Sequence, residues 1–214
     1  ITDGDHQPPP KANAGVPFIV ISNIQNNKID FSDTKFVPRH YYENIQDSRK
    51  PRKNDILYTV TGSFGIPCLI DCDDEFCFQR HIGLIRLETT IVKKYVFYFL
   101  QSSFAYQQAI KVSTGTAQKT VPLAGLREFK VPFLSGAEQL QIVEEIESRL
   151  SICDSLNATI TENLDRAEAL RQSILKQAFE GKLVPQDPND EPASVLLERI
   201  RQERAKGKGG IPNG

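Results

Sequence analysis

Two polar stretches carry side chains suited to gripping a polyanion and reading its edges. The first contains Arg39, His40, Tyr41, Tyr42, Arg49, Lys50, Arg52 and Lys53 against only Glu43 and Asp47, with Lys35 just upstream. Cations neutralise backbone phosphates, and the rings among them can stack or donate. The second is Thr114-Gly-Thr116-Ala-Gln118-Lys119. Glycine there admits close backbone approach, and the Gln118 amide has the paired donor and acceptor that match adenine in a major groove. Thr61, Ser63, Gln79 and Arg80 offer secondary contacts of the same kinds. A basic run by itself is most often a solvated loop, so a nucleic-acid reading needs support from the rest of the chain.

Catalysis finds little to work with. The sequence has no phosphate-cradling Gly-x-x-x-x-Gly-Lys-Ser/Thr loop, no Gly-x-Gly-x-x-Gly turn, no His-Glu-x-x-His helix and no Gly-x-Ser-x-Gly elbow. A histidine base would have to be His6, His40 or His81, placed in a terminus, a basic loop and a strand-like run. Asp71, Asp73, Asp74 and Glu75 could hold magnesium on paper, but four acids in one short turn more often form a solvated β-turn. Cys68, Cys72, Cys77 and His81 could likewise be drawn as a zinc site. They repeat no paired Cys-x-x-Cys knuckle, so small apolar residues in a sheet are the simpler reading. Neither a catalytic residue nor a metal is expected. With Cys153, the cysteines make no disulfide framework, which suits a reduced compartment.

The elements that must position these loops follow from periodicity. Phe18 to Ile21, Asp55 to Thr61, Ile66 to Ile70 and Ile82 to Leu87 predict strands, with a turn at Gly62-Ser-Phe-Gly65. Lys93 to Val112 predicts one helix with Val96, Phe97, Leu100, Phe104 and Ile110 on its apolar face, and Glu128 to Phe133 a short strand. From Glu138 to about Glu180 a single helix is expected, ended by Gly181. Its seam is Val143, Ile146, Leu150, Cys153, Asn157, Ile160, Leu164, Ala167, Arg171, Ile174 and Ala178 at coiled-coil spacing. Such a helix spans roughly 60 Å at 1.5 Å per residue, too long to hide its seam against its own small domain. A second chain, or an absent part of this one, is implied. A short helix from Ala193 to about Ala205 should pack back on it through Val195, Leu196, Leu197 and Ile200, and residues 206–214 should be mobile.

The fold class expected is therefore α+β: a mainly-β domain with a few helices over 1–136, then a spacer region over 137–205. The net charge of −1 hides a division between a slightly basic first part and an acidic helical part. No signal pattern opens the chain and no apolar run approaches membrane-spanning length, which points to the cytoplasm. Methionine is absent, even at position 1, as expected of a piece of a longer polypeptide.

An ordered set of motifs resembles the DNA-specificity subunit of type I restriction-modification systems. Lys53-Asn-Asp55-Ile-Leu-Tyr…Gly62-Ser-Phe-Gly65 is similar to a strand and turn of that family's target recognition domain. Gly115-Thr-Ala-Gln118…Val121-Pro-Leu…Leu126 and Val131-Pro132-Phe resemble its closing part, and Ala137-Glu138-Gln139…Ile142-Val143 the start of its conserved spacer helix. The most specific stretch runs from Leu170 to Val184, followed by Asp190-Glu-Pro-Ala and Leu196-Leu-Glu. The resemblance implies a non-catalytic protein that selects a site on double-stranded DNA. Methyl transfer is left to modification subunits and cleavage to restriction subunits with a motor nuclease. S-adenosylmethionine, ATP and magnesium would then belong to those partners, with no cofactor on this chain. Complete members carry two recognition domains and two spacer helices, whereas this chain carries one of each and resembles a C-terminal half. Its long helix would pair with another half-subunit or with a second copy of itself, setting the distance between two half-sites. The alternatives are the recognition portion of a fused restriction and methylation enzyme, and a coiled-coil adaptor that grips protein.

Overall fold

Apolar runs rich in β-branched and aromatic residues build the strands. The computed structural model describes residues 1–4, 6, 9–185 and 187–207. In chain order come β1 (Thr2–Asp3), β2 (Val16–Ile19), β3 (Ile24–Gln25), β4 (Lys28–Ile29), β5 (Lys35–Val37) and α1 (Arg39–Glu43). They are followed by β6 (Ile56–Thr59), β7 (Pro67–Leu69), β8 (Cys77–Phe78), β9 (Ile82–Ile85), α2 (Lys93–Gln101), α3 (Ser103–Val112), α4 (Leu123–Arg127), α5 (Gly136–Phe179) and α6 (Ala193–Gly207). The chain divides into two units, Ile1–Leu150 and Ser151–Gly214. Strands and helices mix as the α+β class requires. No helix among the described residues is long and apolar enough to cross a membrane.

In the first unit, β6 is the central strand. It pairs antiparallel with β7 on one side and with β9 on the other, in the sheet order β1-β9-β6-β7. Both its faces are covered, which is why its sequence reads as a continuous apolar run rather than an alternation. Ile56 and Tyr58 pack toward α2, α3 and α4, while Leu57 packs with Ile19, Phe76 and Phe78. Burying each such side chain is worth about 1.5–3 kcal/mol. A second sheet, β5-β2-β8, and the β3-β4 hairpin complete the β portion. The hairpin turns on Asn26 and Asn27, both at positive φ, as a two-residue loop requires.

Two expected elements differ. The single helix over 93–112 is broken at Ser102, which is extended at φ −72° and ψ 152°. Its hydroxyl donates to the Phe99 carbonyl at 2.6 Å and accepts from the Ala105 N–H at 3.2 Å, ending α2 and capping α3 with one side chain. The expected strand at 128–133 is absent, and α4 precedes it instead. Lys130 has no strand neighbour: the Gln108 side chain accepts from its N–H at 2.7 Å and donates to its carbonyl at 3.2 Å. Pro132 lacks an N–H, and its carbonyl accepts from the Tyr95 hydroxyl at 3.1 Å.

The first turn of α5 is closed by Ser135 and Glu138. The Glu138 carboxylate accepts from the Ser135 N–H at 2.9 Å and its hydroxyl at 2.7 Å, while the Ser135 oxygen accepts from the Glu138 N–H at 3.3 Å. These bonds hold the Glu138 carboxyl below its ordinary 4.5. Buried Gln139 then accepts from the Val92 N–H at 3.0 Å and donates to the Leu134 carbonyl at 2.9 Å. At the other end Gly181 takes φ +71°, Lys182 N–H donates to Gln177 and Gly181 N–H to Ala178, the double closure of a Schellman end. In the second unit α6 leaves Val195, Leu196 and Leu197 exposed, with only Ile200 partly covered. They therefore do not make the packing expected of them. Of the expected mobile tail, Lys206 and Gly207 belong to α6, and 208–214 lie outside the described residues.

Candidate nucleic-acid interface

The residues suited to binding nucleic acid separate to opposite ends of β6. Asp55, at its start, adjoins the basic stretch 39–53, and Thr61 lies just past its end, about 20 Å away at 3.3 Å per residue.

At the far end three loops are tied together by backbone bonds. Val60 N–H donates to the His81 carbonyl at 2.9 Å, and its own carbonyl accepts from the Val121 N–H at 2.8 Å. The Gln79–His81 turn and the Thr114–Thr120 loop thus flank the same residue. Gly62, at φ +71°, donates to the Lys119 carbonyl at 3.0 Å, joining the Gly62–Gly65 turn to that loop. Thr114 and Thr120 exchange two backbone bonds of 2.8 Å each, closing the loop. Gly115 sits inside it at φ +95°, where an added Cβ would lie 2.4 Å from the Gln118 carbonyl oxygen. Only glycine fits there. The closure displays Thr114, Thr116, Gln118 and Lys119, all exposed, beside exposed Ser63 and Arg80 and partly covered Gln79. Thr61 is buried and accepts from the Thr120 hydroxyl at 3.4 Å, so it braces the loop rather than facing outward. Lys119 and Arg80 make no ion pair with a carboxylate among the described residues.

The basic stretch looks different once folded. Arg39 pairs with Glu75 and, at 3.3 Å, with Glu43. Arg49 pairs with Asp3 at 3.4 Å, Lys50 with Asp47 at 3.3 Å and Lys53 with Asp73 at 2.8 Å. The acidic turn 71–75 is thus a source of counter-charge to the basic run. Tyr42 is buried at 6% exposure, its ring covered by Arg39 and Lys50 at 5.6 and 5.3 Å, and Tyr41 packs beside it. His40 is exposed on α1, and Arg52 is exposed without an ion pair among the described residues.

Residues 6–166 match the protein family described as "Type I restriction modification DNA specificity domain". The chain belongs to this family. Among curated relatives, the EcoBI specificity subunit of Escherichia coli is 30% identical over 95% of this chain and 44% of that protein. The EcoAI specificity subunit of Escherichia coli is 32% identical over 85% of this chain and 42% of that protein. The chain therefore spans less than half the length of these relatives. The HsdS subunit from Thermoanaerobacter tengcongensis superimposes with a TM-score of 0.57 at 20% identity, over 83% of this chain and 45% of that one. A chain solved in work on complex assembly and conformational transition of the type I R-M system gives 0.64 at 18%, over 83% and 42%. These two likenesses are of fold.

This specificity domain also contains a clasp that motif reading missed. The Arg86 Nε and Nη2 donate to the Asp55 carboxylate at 3.0 and 2.6 Å, and Nη2 also reaches the Lys50 carbonyl at 2.8 Å. Asp55, with 5% of its side chain exposed, accepts in addition from the Arg52 N–H at 2.9 Å. The clasp fixes the backbone of the basic stretch to the β6-β9 ends. A lone acid opening the run at 55 and a lone cation closing the run at 86 were its only signal.

On α5 the seam residues also divide. Val143 is buried in the core of the first unit and Ile146 is partly covered. Leu150, Cys153, Asn157, Ile160, Leu164, Ala167, Ile174 and Ala178 are exposed, as are Ile152, Leu156, Leu170 and Leu175 beside them. Cys68 lies in the core, its thiol pushed up to about 12 by burial, and the Cys77 thiol donates to the Pro17 carbonyl at 3.7 Å. No group of three or more His, Cys, Asp or Glu side chains placed to hold a metal forms among the described residues.

Proposed function

We propose that this chain reads one half of a split double-stranded DNA target for a type I restriction-modification complex. The loops at the far end of β6 meet the bases and phosphates, and α5 sets the half-site spacing by pairing with another such helix. The observation that carries this reading is the gathering of Ser63, Gln79, Arg80, Thr114, Thr116, Gln118 and Lys119 at one end of the sheet of a DNA-specificity domain. The basic stretch 39–53, largely neutralised within the fold, serves as a secondary phosphate contact through Arg52 and His40.

The exposed apolar ridge of α5 supports pairing, because a stripe of this length in water calls for a cover. It is wider than a two-helix seam, since Ile152, Leu156, Leu170 and Leu175 flank it, which leaves room for a helix of a modification subunit beside the paired one. The chain performs neither methylation nor cleavage in this scheme. S-adenosylmethionine belongs to the modification subunits, ATP and magnesium to the restriction subunits, and the assembly works in the cytoplasm.

The test is to co-express the chain with its modification subunit and map methylated adenines across the genome. A two-part motif with a fixed gap is expected, palindromic if two copies of this chain pair. Seven residues inserted in α5 add about 10 Å and should widen the gap by about three base pairs. A folded complex that methylates nothing, or an unchanged gap, counts against the respective half of the proposal.

A further inference from the structure

Three cations of the unit Ile1–Leu150 that form no ion pair among the described residues, Lys11, Lys35 and Arg80, line one cavity. Its volume is about 520 Å³, within the roughly 300–1,000 Å³ of ordinary ligand pockets, and it lies over one face of the β2-β5 pair. The antiparallel register sets Val16 opposite Val37 and Phe18 opposite Lys35, so Phe18 and Val37 share that face with Lys35. Phe18 and Val37, only 5% and 1% exposed, form an apolar floor with Val20, and Pro9 and Pro10 line a wall.

The rim is cationic. Lys11, Lys35 and Arg80 line it, no carboxylate does so among the described residues, and none of the three makes an ion pair there. That is the reverse of the 39–53 stretch, where nearly every cation has a carboxylate. Phe36, Gln79, His81 and His6, the last beside the Asp3 carboxylate at 2.7 Å, complete the lining, and the Gln79 amide can both donate and accept. Burial, and then the charge of Arg80, push the His81 pKa down, which keeps the ring neutral near pH 7, with Nε2 accepting from the Arg80 Nε at 3.3 Å and Nδ1–H left to donate.

An inorganic anion would satisfy the rim and leave the apolar trough empty; an apolar ligand would fill the trough and leave three cations unanswered. A planar ring bearing a phosphate answers both. We propose that the cavity binds one nucleotide of a DNA strand, its base unstacked into the trough over Phe18 and Val20 and its phosphate at Lys11, Lys35 and Arg80. The strand is the source because the Gln79–His81 turn borders both this cavity and the loops assigned to DNA, so the inference rests on that assignment. Gln79 and His81 stand where the edge of such a base would be read, which makes them candidates for sequence preference at one position.

The test uses the full chain with labelled valine methyls. It is titrated with deoxynucleoside 5′-monophosphates, deoxynucleosides, inorganic phosphate and a short single-stranded oligodeoxynucleotide. The oligonucleotide should shift the Val20 and Val37 methyls at least tenfold more tightly than any monophosphate, and deoxynucleosides or phosphate alone should be weaker still. Lys35→Ala combined with Arg80→Ala should weaken the oligonucleotide at least tenfold while other methyl signals stay in place. Arg80→Lys should restore part of the loss. Silent Val20 and Val37 methyls with every probe overturn the proposal. Tighter binding of a free monophosphate than of the oligonucleotide overturns the strand as source. If genome methylation keeps its two-part motif while these methyls stay silent, the cavity inference fails alone. If the cavity binds the oligonucleotide while no motif is methylated, the function fails alone.

Discussion

Removing the Asp55 carboxylate should loosen the first unit by an amount that can be worked from the clasp. Asp55→Ala deletes the bidentate contact with Arg86 and leaves the Arg52 N–H without its acceptor. Breaking a fully buried pair from one side costs about 3–5 kcal/mol. Here 34% of the Arg86 side chain reaches water and can rehydrate, so about 2–3 kcal/mol is expected. Arg86→Ala should cost more, about 3–4 kcal/mol, because the stranded carboxylate is only 5% exposed. The double variant should fall short of the sum by about 1–2 kcal/mol, the coupling of the pair. Tyrosine emission during urea unfolding is a clean assay: the chain has no tryptophan, and all six tyrosines precede Leu150. Single variants within about 0.5 kcal/mol of the parent, or an additive double variant, would refute the clasp as a structural tie.

Three further outcomes are expected. In the assembled complex, Lys119→Ala should weaken DNA binding and reduce the slope of log affinity against log salt by about one, whereas Lys53→Ala, already paired with Asp73, should leave the slope nearly unchanged; anisotropy over a salt series decides. Because the folded Glu138 carboxyl titrates below its ordinary 4.5, its contribution to the start of α5 is full above that value and fades as pH falls through the lower one. Amide exchange in the first turn should accelerate over that acid range, and Glu138→Gln should flatten the dependence. Exposed Cys153 should alkylate quickly in the isolated chain and slowly once α5 is paired, while buried Cys68, pushed up to about 12, should react only on unfolding. Equal Cys153 rates in chain and complex would place the pairing surface elsewhere.

How much of this was legible depends on the range of the interaction. β6 announced itself because burial on both faces needs an unbroken apolar run, and α5 because its seam repeats over many turns. The break at Ser102 was hidden, since Phe97, Leu100 and Phe104 keep helical spacing straight across it. The strand expected at 128–133 failed because the partner of Lys130 is a glutamine side chain 22 residues away, which no local alternation records. The ion pairing of the basic stretch was hidden for the same reason: Asp3, Asp73 and Glu75, which pair with Arg49, Lys53 and Arg39, are distant in sequence and adjacent only in the fold. The Ser135-x-x-Glu138 cap, by contrast, was readable as a motif and went unread.

The uncovered leucines and isoleucines of α5 also bear on how much of this protein a cell can keep. A lone copy offers chaperones and proteases a long greasy surface, so unassembled copies should be cleared faster than assembled ones. Abundance would then follow that of the binding companion without any dedicated regulator, and surplus chains would not accumulate to occupy DNA unproductively.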